Sequence, residues 1–234
     1  MKRLFLLFII LQLSACAELQ QVVNTMPNPT LNNADIANGL KQALEKGITD
    51  QVSLLAVKDG FYKNDYVKIV MPSELQKVEN TLRQVGLGSI ADEGVKMLNR
   101  AAEDAVAEAR PIFIDAIKGL TLTDAKNILL GNNNAATLYL QNTTNQALYA
   151  KFEPVIKNSF NKVGADAIWT NLITKYNNLP LTKDVNPDLT NYVTNEALKS
   201  VFKMVAKEEV NIRTKVSSRT TDLLRKVFAL QDKK

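Results

Sequence analysis

Residues 89–117 read SIADEGVKMLNRAAEDAVAEARPIFIDAI and form the longest helical pattern in the chain. Its apolar and alanine positions recur every three or four residues, which is the period of one face of an α-helix. These positions are Val95, Leu98, Ala102, Ala105, Val106, Ala109, Ile112, Phe113, Ala116 and Ile117. Ser89 and Asp92 suit the start of a helix, and Pro111 should kink or break it because proline has no backbone N–H.

The helical period extends over most of the chain on both sides of this stretch. It predicts helices over residues 35–58, 73–86, 123–131, 135–140, 144–163, 166–176, 187–205 and 220–230. Gly39 and Gly47 indicate weak points in the first of these helices or places of close helix contact. Asp59 and Gly60 should end it, and residues 66–71 alternate as an extended segment does, either in a two-stranded ribbon or in a loop. We therefore predict an all-α fold, a single helical-bundle-like domain with at most a short extended ribbon near residues 61–71.

The first 16 residues have the pattern of a bacterial lipoprotein leader. Lys2 and Arg3 precede an apolar run over residues 4–11, which is shorter than the roughly 20 residues that span a bilayer. Residues 13–16 read LSAC and resemble a lipobox, in which Cys16 is acylated. The alternative is an ordinary cysteine near a standard cleavage site. We predict a lipoprotein signal peptide over 1–15, a lipid-anchored flexible linker over 16–33 and an α-helical domain over 34–234.

The position after the cysteine bears on localisation. Ala17, and not aspartate, follows Cys16, which resembles the outer-membrane address of enteric-type lipoproteins. The sequence thus predicts a protein of the bacterial cell envelope, lipid-anchored and facing the periplasm from the outer membrane. Its predicted partners are the membrane, through Cys16, and an envelope protein, lipid or polysaccharide.

The composition excludes several classes of function. The chain has no histidine and one cysteine, so it lacks Ser-His-Asp and Cys-His triads, Cys/His zinc sites and disulfide frameworks. Without Lys2 and Arg3 of the predicted leader, 27 of the 29 basic residues remain against 24 acidic residues, which is too balanced to indicate a nucleic-acid partner. We expect no cofactor, no metal and no catalytic residue, and hence a protein that is not an enzyme.

The densest polar cluster is a candidate functional site on the alanine-rich helix. It holds Asn99, Arg100 and Glu103, and the fold could bring Asp115 and Asp124 near them. In one interpretation Glu103 is a general acid or a metal ligand. In the other, Arg100 and Glu103 form a buried or half-buried ion pair that fixes the helix register.

Two further features have alternative interpretations. Arg213, Arg219 and Arg225 belong to a basic run over 199–226 that could meet lipid headgroups or polysaccharide, or could simply face solvent. The turn at Asp59, with Phe61 as an exposed aromatic, could bind a ligand or could only connect two elements.

Several runs, in order along the chain, resemble the bacterial family known as domain of unknown function 4197. They are residues 59–61, 98–103, 112–117, 123–125, 128–131, 135–137 and 212–220. The resemblance implies a secreted or lipid-anchored bacterial protein, and it implies no activity and no catalytic residues. Three hypotheses remain: a non-enzymatic binding or structural module, a carboxylate-dependent envelope hydrolase that uses Glu103, Asp115 and Asp124, or a lipid carrier with an apolar cavity.

Overall fold

Helices make up the regular structure of the chain in the computed structural model. The structure describes residues 32–73, 76–84, 86, 88–165 and 188–232, and the isolated positions 167, 170, 174, 177 and 178. The α-helices are α1 (Asn33–Ala56), α2 (Gln76–Gln84), α3 (Gly88–Val106), α4 (Ala109–Lys118), α5 (Leu122–Leu130), α6 (Ala135–Asn161), α7 (Leu189–Thr214) and α8 (Asp222–Phe228). A short 3₁₀ turn, Val216–Ser218, lies between α7 and α8. The described residues contain no β-strand, so the prediction of an all-α fold is confirmed.

The core lies where α1, α3, α6 and α7 meet. The helix α7 packs along α6 and also contacts α1 and α3, while α1 contacts α4, α5 and α8. The Phe113 and Phe202 rings meet edge to face, with centroids 5.8 Å apart. The largest fully buried side chains are Phe61, Phe113, Phe152, Phe160, Leu40, Ile48, Leu55, Leu129, Leu140, Leu148 and Ile156. Among the described helices, none is both long and apolar enough to cross a membrane.

The break predicted near Pro111 is confirmed. The helix α3 ends at Val106 and α4 begins at Ala109. Pro111 therefore lies in the first turn of α4, where the backbone N–H groups have no intrahelical partner and a missing one costs nothing. Gly39 and Gly47 are places of close helix contact, since a Cβ at Gly39 would lie 2.7 Å from Val227 of α8.

Some predicted helix boundaries differ from the structure. The segments 135–140 and 144–163 are one helix, α6, because the Thr143 and Thr144 hydroxyls donate to carbonyls of the preceding turn and so tolerate a helical backbone. The helix α5 begins at Leu122, one residue before the predicted start, because Thr121 caps it and forms a reciprocal capping box with Asp124. The predicted helix 166–176 and the loop after it fall mostly outside the described residues.

The segment over residues 66–70 begins in a turn and pairs with side chains of neighbouring helices, so of the two alternatives, ribbon or loop, it is a loop. The Asn99 amide of α3 accepts from the Ile69 N–H at 2.8 Å and donates to the Ile69 carbonyl at 2.7 Å, as a neighbouring strand would. On α7, the Ser200 hydroxyl donates to the Val67 carbonyl at 3.1 Å, and the Tyr192 hydroxyl donates to the Val70 carbonyl at 2.9 Å. Side chains of two helices thus form the backbone hydrogen bonds that a neighbouring strand would otherwise provide.

Candidate functional site

The turn after α1 has a fixed backbone shape. Asp59 has a φ of 72°, in the left-handed region that aspartate tolerates better than most residues. At Gly60 a Cβ would lie 2.5 Å from the carbonyl oxygens of Leu54 and Leu55, so any larger residue would displace the chain. Phe61 points into the core and is fully buried. The expectation of an exposed aromatic here is therefore wrong, because the tight turn directs the ring inward.

Glu103 holds this turn from α3. Its Oε1 accepts hydrogen bonds from the backbone N–H groups of Phe61 and Tyr62, at 3.0 and 3.2 Å. Its Oε2 accepts from Arg100 at 2.5 Å. The residue is only 3% exposed. Both carboxylate oxygens are thus engaged by protein donors, which is the arrangement of a structural ion pair, as one of the two sequence interpretations predicts.

Arg100 joins Glu103 to the turn. Its guanidinium also donates to the Asp59 carboxylate, which Lys63 approaches at 3.0 Å. These hydrogen bonds, from Arg100 first and Lys63 second, hold the pKa of Asp59 below its ordinary value. Burial opposes the charge on Arg100, but its bonds to Glu103 and Asp59 outweigh that effect and raise its pKa. Asp59 is therefore ionised at neutral pH and is unsuited to act as a general acid.

An open polar cleft of about 490 Å³, which we call the Arg100 cleft, lies beside this network. The loop after α1 forms one wall and the first three turns of α3 form the other. The Tyr62 ring has the Lys68 ammonium 4.6 Å from its centroid and the Arg100 guanidinium 6.0 Å from it. The residues that line the cleft are Lys58, Asp59, Tyr62, Lys63, Ser89, Asp92, Glu93, Lys96 and Arg100.

The acids of the α3 wall are paired with cations. Glu93 pairs with Lys96 at 3.0 Å, and Asp92 pairs with Arg83 of α2 at 2.6 Å. Lys58, on the opposite wall, has no ion-pair partner within the described ranges. The cleft therefore carries an excess of positive charge on its loop wall, which suits a ligand with a carboxylate or phosphate group.

Asp115 and Asp124 do not join Glu103. The Asp115 side chain is 79% exposed on α4, and its nearest cation is Lys118 at 3.8 Å. Asp124 caps α5, where the Thr121 hydroxyl and backbone N–H lower its pKa. The acid constellation of the hydrolase hypothesis is thus not assembled. Over the described part of the chain, no group of three or more acidic side chains could hold a metal ion.

Arg213 is buried and not part of a basic face. It is 5% exposed, pairs with Glu209 at 2.7 Å and donates to the carbonyls of Ile128 and Leu129 at the end of α5. Glu209 in turn accepts from the backbone N–H groups of Ala136 and Thr137 in the first turn of α6. One ion pair on α7 therefore caps two helices, with the anion at an N-terminus and the cation at a C-terminus, as the helix dipoles favour.

Arg219 is also buried and has a similar role. It is 2% exposed, donates to the carbonyls of Ile212 and Arg213 at the end of α7, and pairs with Asp232. Arg225 is half exposed and pairs with Asp222 at 2.6 Å. Arg213 and Arg219 therefore belong neither to a basic face nor to a solvent-facing surface, because the helix ends that they meet are buried and need donors for their last carbonyls.

A small apolar cavity lies between α1 and α7. It has a volume of about 30 Å³ and is lined by residues that include Leu40, Leu44, Val205 and Phe228. A cavity of this size is close to that of a single water molecule, so it gives the lipid-carrier hypothesis no support.

The sequence identified part of this site. It singled out Arg100, Glu103 and the turn at Asp59, and the structure brings them together. It missed the other residues of the Arg100 cleft, such as Lys58, Tyr62 and Lys96. The loop wall could have been predicted from the Lys-Asp-Gly-Phe-Tyr-Lys run over 58–63, because a lysine lies on each side of the turn.

The fold and the site define a helical protein with a polar, positively biased cleft that rests on a partly buried ion-pair network. The chain belongs to the family described as "Protein of unknown function (DUF4197)", whose profile matches residues 30–229. This match confirms the family resemblance found in the sequence. No curated protein and no solved structure gives a significant match to the chain.

Proposed function

We propose that this protein is a lipid-anchored component of the bacterial envelope, attached through Cys16 and held at the outer membrane on its periplasmic side. In this proposal the helical body binds a charged envelope component in the Arg100 cleft and catalyses no reaction. The lipobox-like run over 13–16 supports the anchor. Several acyl chains on one cysteine would give stable attachment, since each buried CH₂ contributes about 0.8 kcal/mol.

The observation that carries the binding proposal is the construction of the Arg100 cleft. Its loop wall is fixed from below by Glu103, which binds two consecutive backbone N–H groups. Arg100 ties the same wall to α3 through Asp59. A wall held in this way is preorganised, which lowers the entropy that a ligand must overcome on binding. The free ammonium of Lys58 supplies the charge that a carboxylate or phosphate would meet.

The proposed absence of catalysis rests on the state of the acids. Glu103 is occupied by three donors, and Asp59 is held ionised between Arg100 and Lys63. Glu103 therefore has no carboxylate oxygen free to meet a substrate, and Asp59 lacks the proton that a general acid needs. Peptidoglycan, whose peptides carry carboxylates, is the envelope component that we select as the first probe.

Acylation should depend on Cys16. When the full chain is expressed in bacteria fed labelled palmitate, we expect the label in the protein and its recovery in the outer-membrane fraction. The Cys16→Ser variant should carry no label, because serine provides no sulfur for the thioether to the diacylglycerol. A labelled Cys16→Ser chain, or an unlabelled native chain, would exclude the anchor.

Binding in the cleft should depend on Lys58. We expect the body, residues 17–234, to sediment with purified peptidoglycan sacculi, and Lys58→Glu to weaken this binding on the order of tenfold, since a hydrogen bond to a charged group contributes about 1.5–3 kcal/mol. The matched control is Lys151→Glu, the same charge change at an exposed position of α6. Equal binding by the two variants would contradict the cleft assignment. Release of soluble fragments from the sacculi would contradict the absence of catalysis.

A further inference from the structure

A second charged surface lies where the loop 57–70 crosses α7. The Tyr66 ring has the Lys203 ammonium 4.0 Å from its centroid and the Lys207 ammonium 4.9 Å from it. Lys203 also donates to the Tyr66 carbonyl at 2.6 Å, which fixes its position. We call these three residues the Tyr66 patch. None of them lines the Arg100 cleft.

The two lysines of the Tyr66 patch carry positive charge that no carboxylate of the described residues pairs with. They are four residues apart on α7, the spacing at which like charges repel and destabilise a helix. In the part of the chain that the structure describes, neither has a carboxylate partner, whereas Lys199, one turn before Lys203, pairs with Glu196 at 2.6 Å. The Tyr66 ring, which both ammonium groups contact, offsets part of the repulsion between them. An anion bound from outside the protein would offset the rest.

The helices α1 and α7 carry exposed apolar side chains in the turns closest to Lys207. Gln51 of α1 donates to Glu208 at 3.4 Å, so this side of α1 faces α7 next to Lys207. Leu54 lies one turn further along the same side and is 50% exposed. Val210 follows Lys207 by three residues and is 40% exposed. Aliphatic, tyrosine and lysine side chains on one surface are the combination that settles at a membrane interface.

The loop that carries Tyr66, taken together with the charged side chains that contact it, is also net positive. Six basic and three acidic side chains belong to the loop 57–70 or contact it, which leaves a net charge of +3. They are Lys58, Lys63, Lys68, Arg100, Lys203 and Lys207, against Asp59, Asp65 and Glu103.

We propose that the Tyr66 patch docks the folded body onto the surface of an anionic phospholipid bilayer. The lysines would meet headgroup phosphates, while Tyr66 and Leu54 would enter the boundary between headgroups and acyl chains. The patch is exposed and lies outside the cleft, so its partner is a surface that offers many anions and an apolar layer beneath them. This inference goes beyond the proposed function, and it requires neither the acyl anchor nor a ligand in the Arg100 cleft.

The test measures the partition of the body, residues 17–234, into vesicles. Its core is built from residues 37 onward, so this chain retains the fold. At low salt we expect binding to vesicles that contain phosphatidylglycerol and much weaker binding to vesicles of phosphatidylcholine alone. The double variant Lys203→Gln/Lys207→Gln should bind the anionic vesicles about 30-fold more weakly, and Tyr66→Ser should also weaken binding.

The control is Lys151→Gln/Lys157→Gln, which removes the same charge from exposed positions of α6 and should bind as the native body does. The proposal is overturned if the native body does not bind phosphatidylglycerol vesicles, or if both double variants bind them equally. Failure to bind vesicles would leave the sacculus result unaffected, because that experiment contains no lipid.

Discussion

The Glu209→Ala variant is expected to lose about 3–5 kcal/mol of unfolding free energy, the largest effect of any single substitution considered for this chain. Glu209 is 7% exposed, and its carboxylate binds Arg213, two backbone N–H groups of α6 and the Thr137 hydroxyl. Its removal leaves a buried guanidinium without an anion and the first turn of α6 without a cap. Urea unfolding followed by circular dichroism measures the loss, and the melting temperature should fall by on the order of 10 °C.

The neighbouring carboxylate is a matched control for this variant. Glu208 is half-buried and makes only two long hydrogen bonds, at 3.3 and 3.4 Å. Glu208→Ala should therefore cost less than about 1 kcal/mol. The double variant Glu209→Met/Arg213→Met should recover part of the loss, since no unpaired charge then remains buried. If Glu209→Ala proves no more destabilising than Glu208→Ala, the ion pair on α7 does not hold the two helix ends.

The second large effect is expected at Glu103. Glu103→Ala leaves the backbone N–H groups of Phe61 and Tyr62 without an acceptor, and each buried unsatisfied donor costs about 1–3 kcal/mol. We expect a total loss of about 3 kcal/mol in the same unfolding measurement. Glu103→Gln should lose less, because its side-chain oxygen can still accept from the turn.

Hydrogen exchange locates this effect. In Glu103→Ala the amides of Phe61 and Tyr62 should exchange much faster than in the native protein, while the amides of α6 should be affected less. Glu108→Ala, at an exposed position beyond the end of α3, should change neither stability nor exchange. Unchanged exchange at Phe61 in Glu103→Ala would show that the turn is held by other contacts.

The buried charges share one structural role. Glu103 binds the N–H groups of the turn after α1, Glu209 those of α6, Arg213 the carbonyls of α5, and Arg219 those of α7. A helix or turn that ends inside the protein leaves backbone groups that water cannot reach. Charged side chains from other elements supply the missing hydrogen bonds, so charged residues that a sequence marks as candidate sites can serve as caps.

Part of the candidate site was predictable because it is local. Arg100 and Glu103 are three residues apart on one helix, and that spacing alone predicts their contact. Asp59, the third member of the network, is 41 residues from Arg100, and no local rule predicts that contact. The burial of Arg213 could have been predicted from the sequence, because positions 202, 205, 209 and 213 lie on one side of α7 and continue its apolar stripe.

Short-range patterns predicted the all-α class and the approximate ends of most helices, because helix formation depends on neighbours three or four residues away and on capping residues and prolines. Matching runs in order along the chain predicted the family. The roles of the polar residues, in contrast, depend on how the helices pack. In the folded protein Asp115 and Asp124 are not joined to Glu103. The Phe61 ring is buried in the core, and so are Arg213 and Arg219 of the predicted basic face. Packing also brings Tyr66 onto the lysines of α7. The reason is physical: whether a charge is buried, paired or free depends on elements that meet only after the helices have packed.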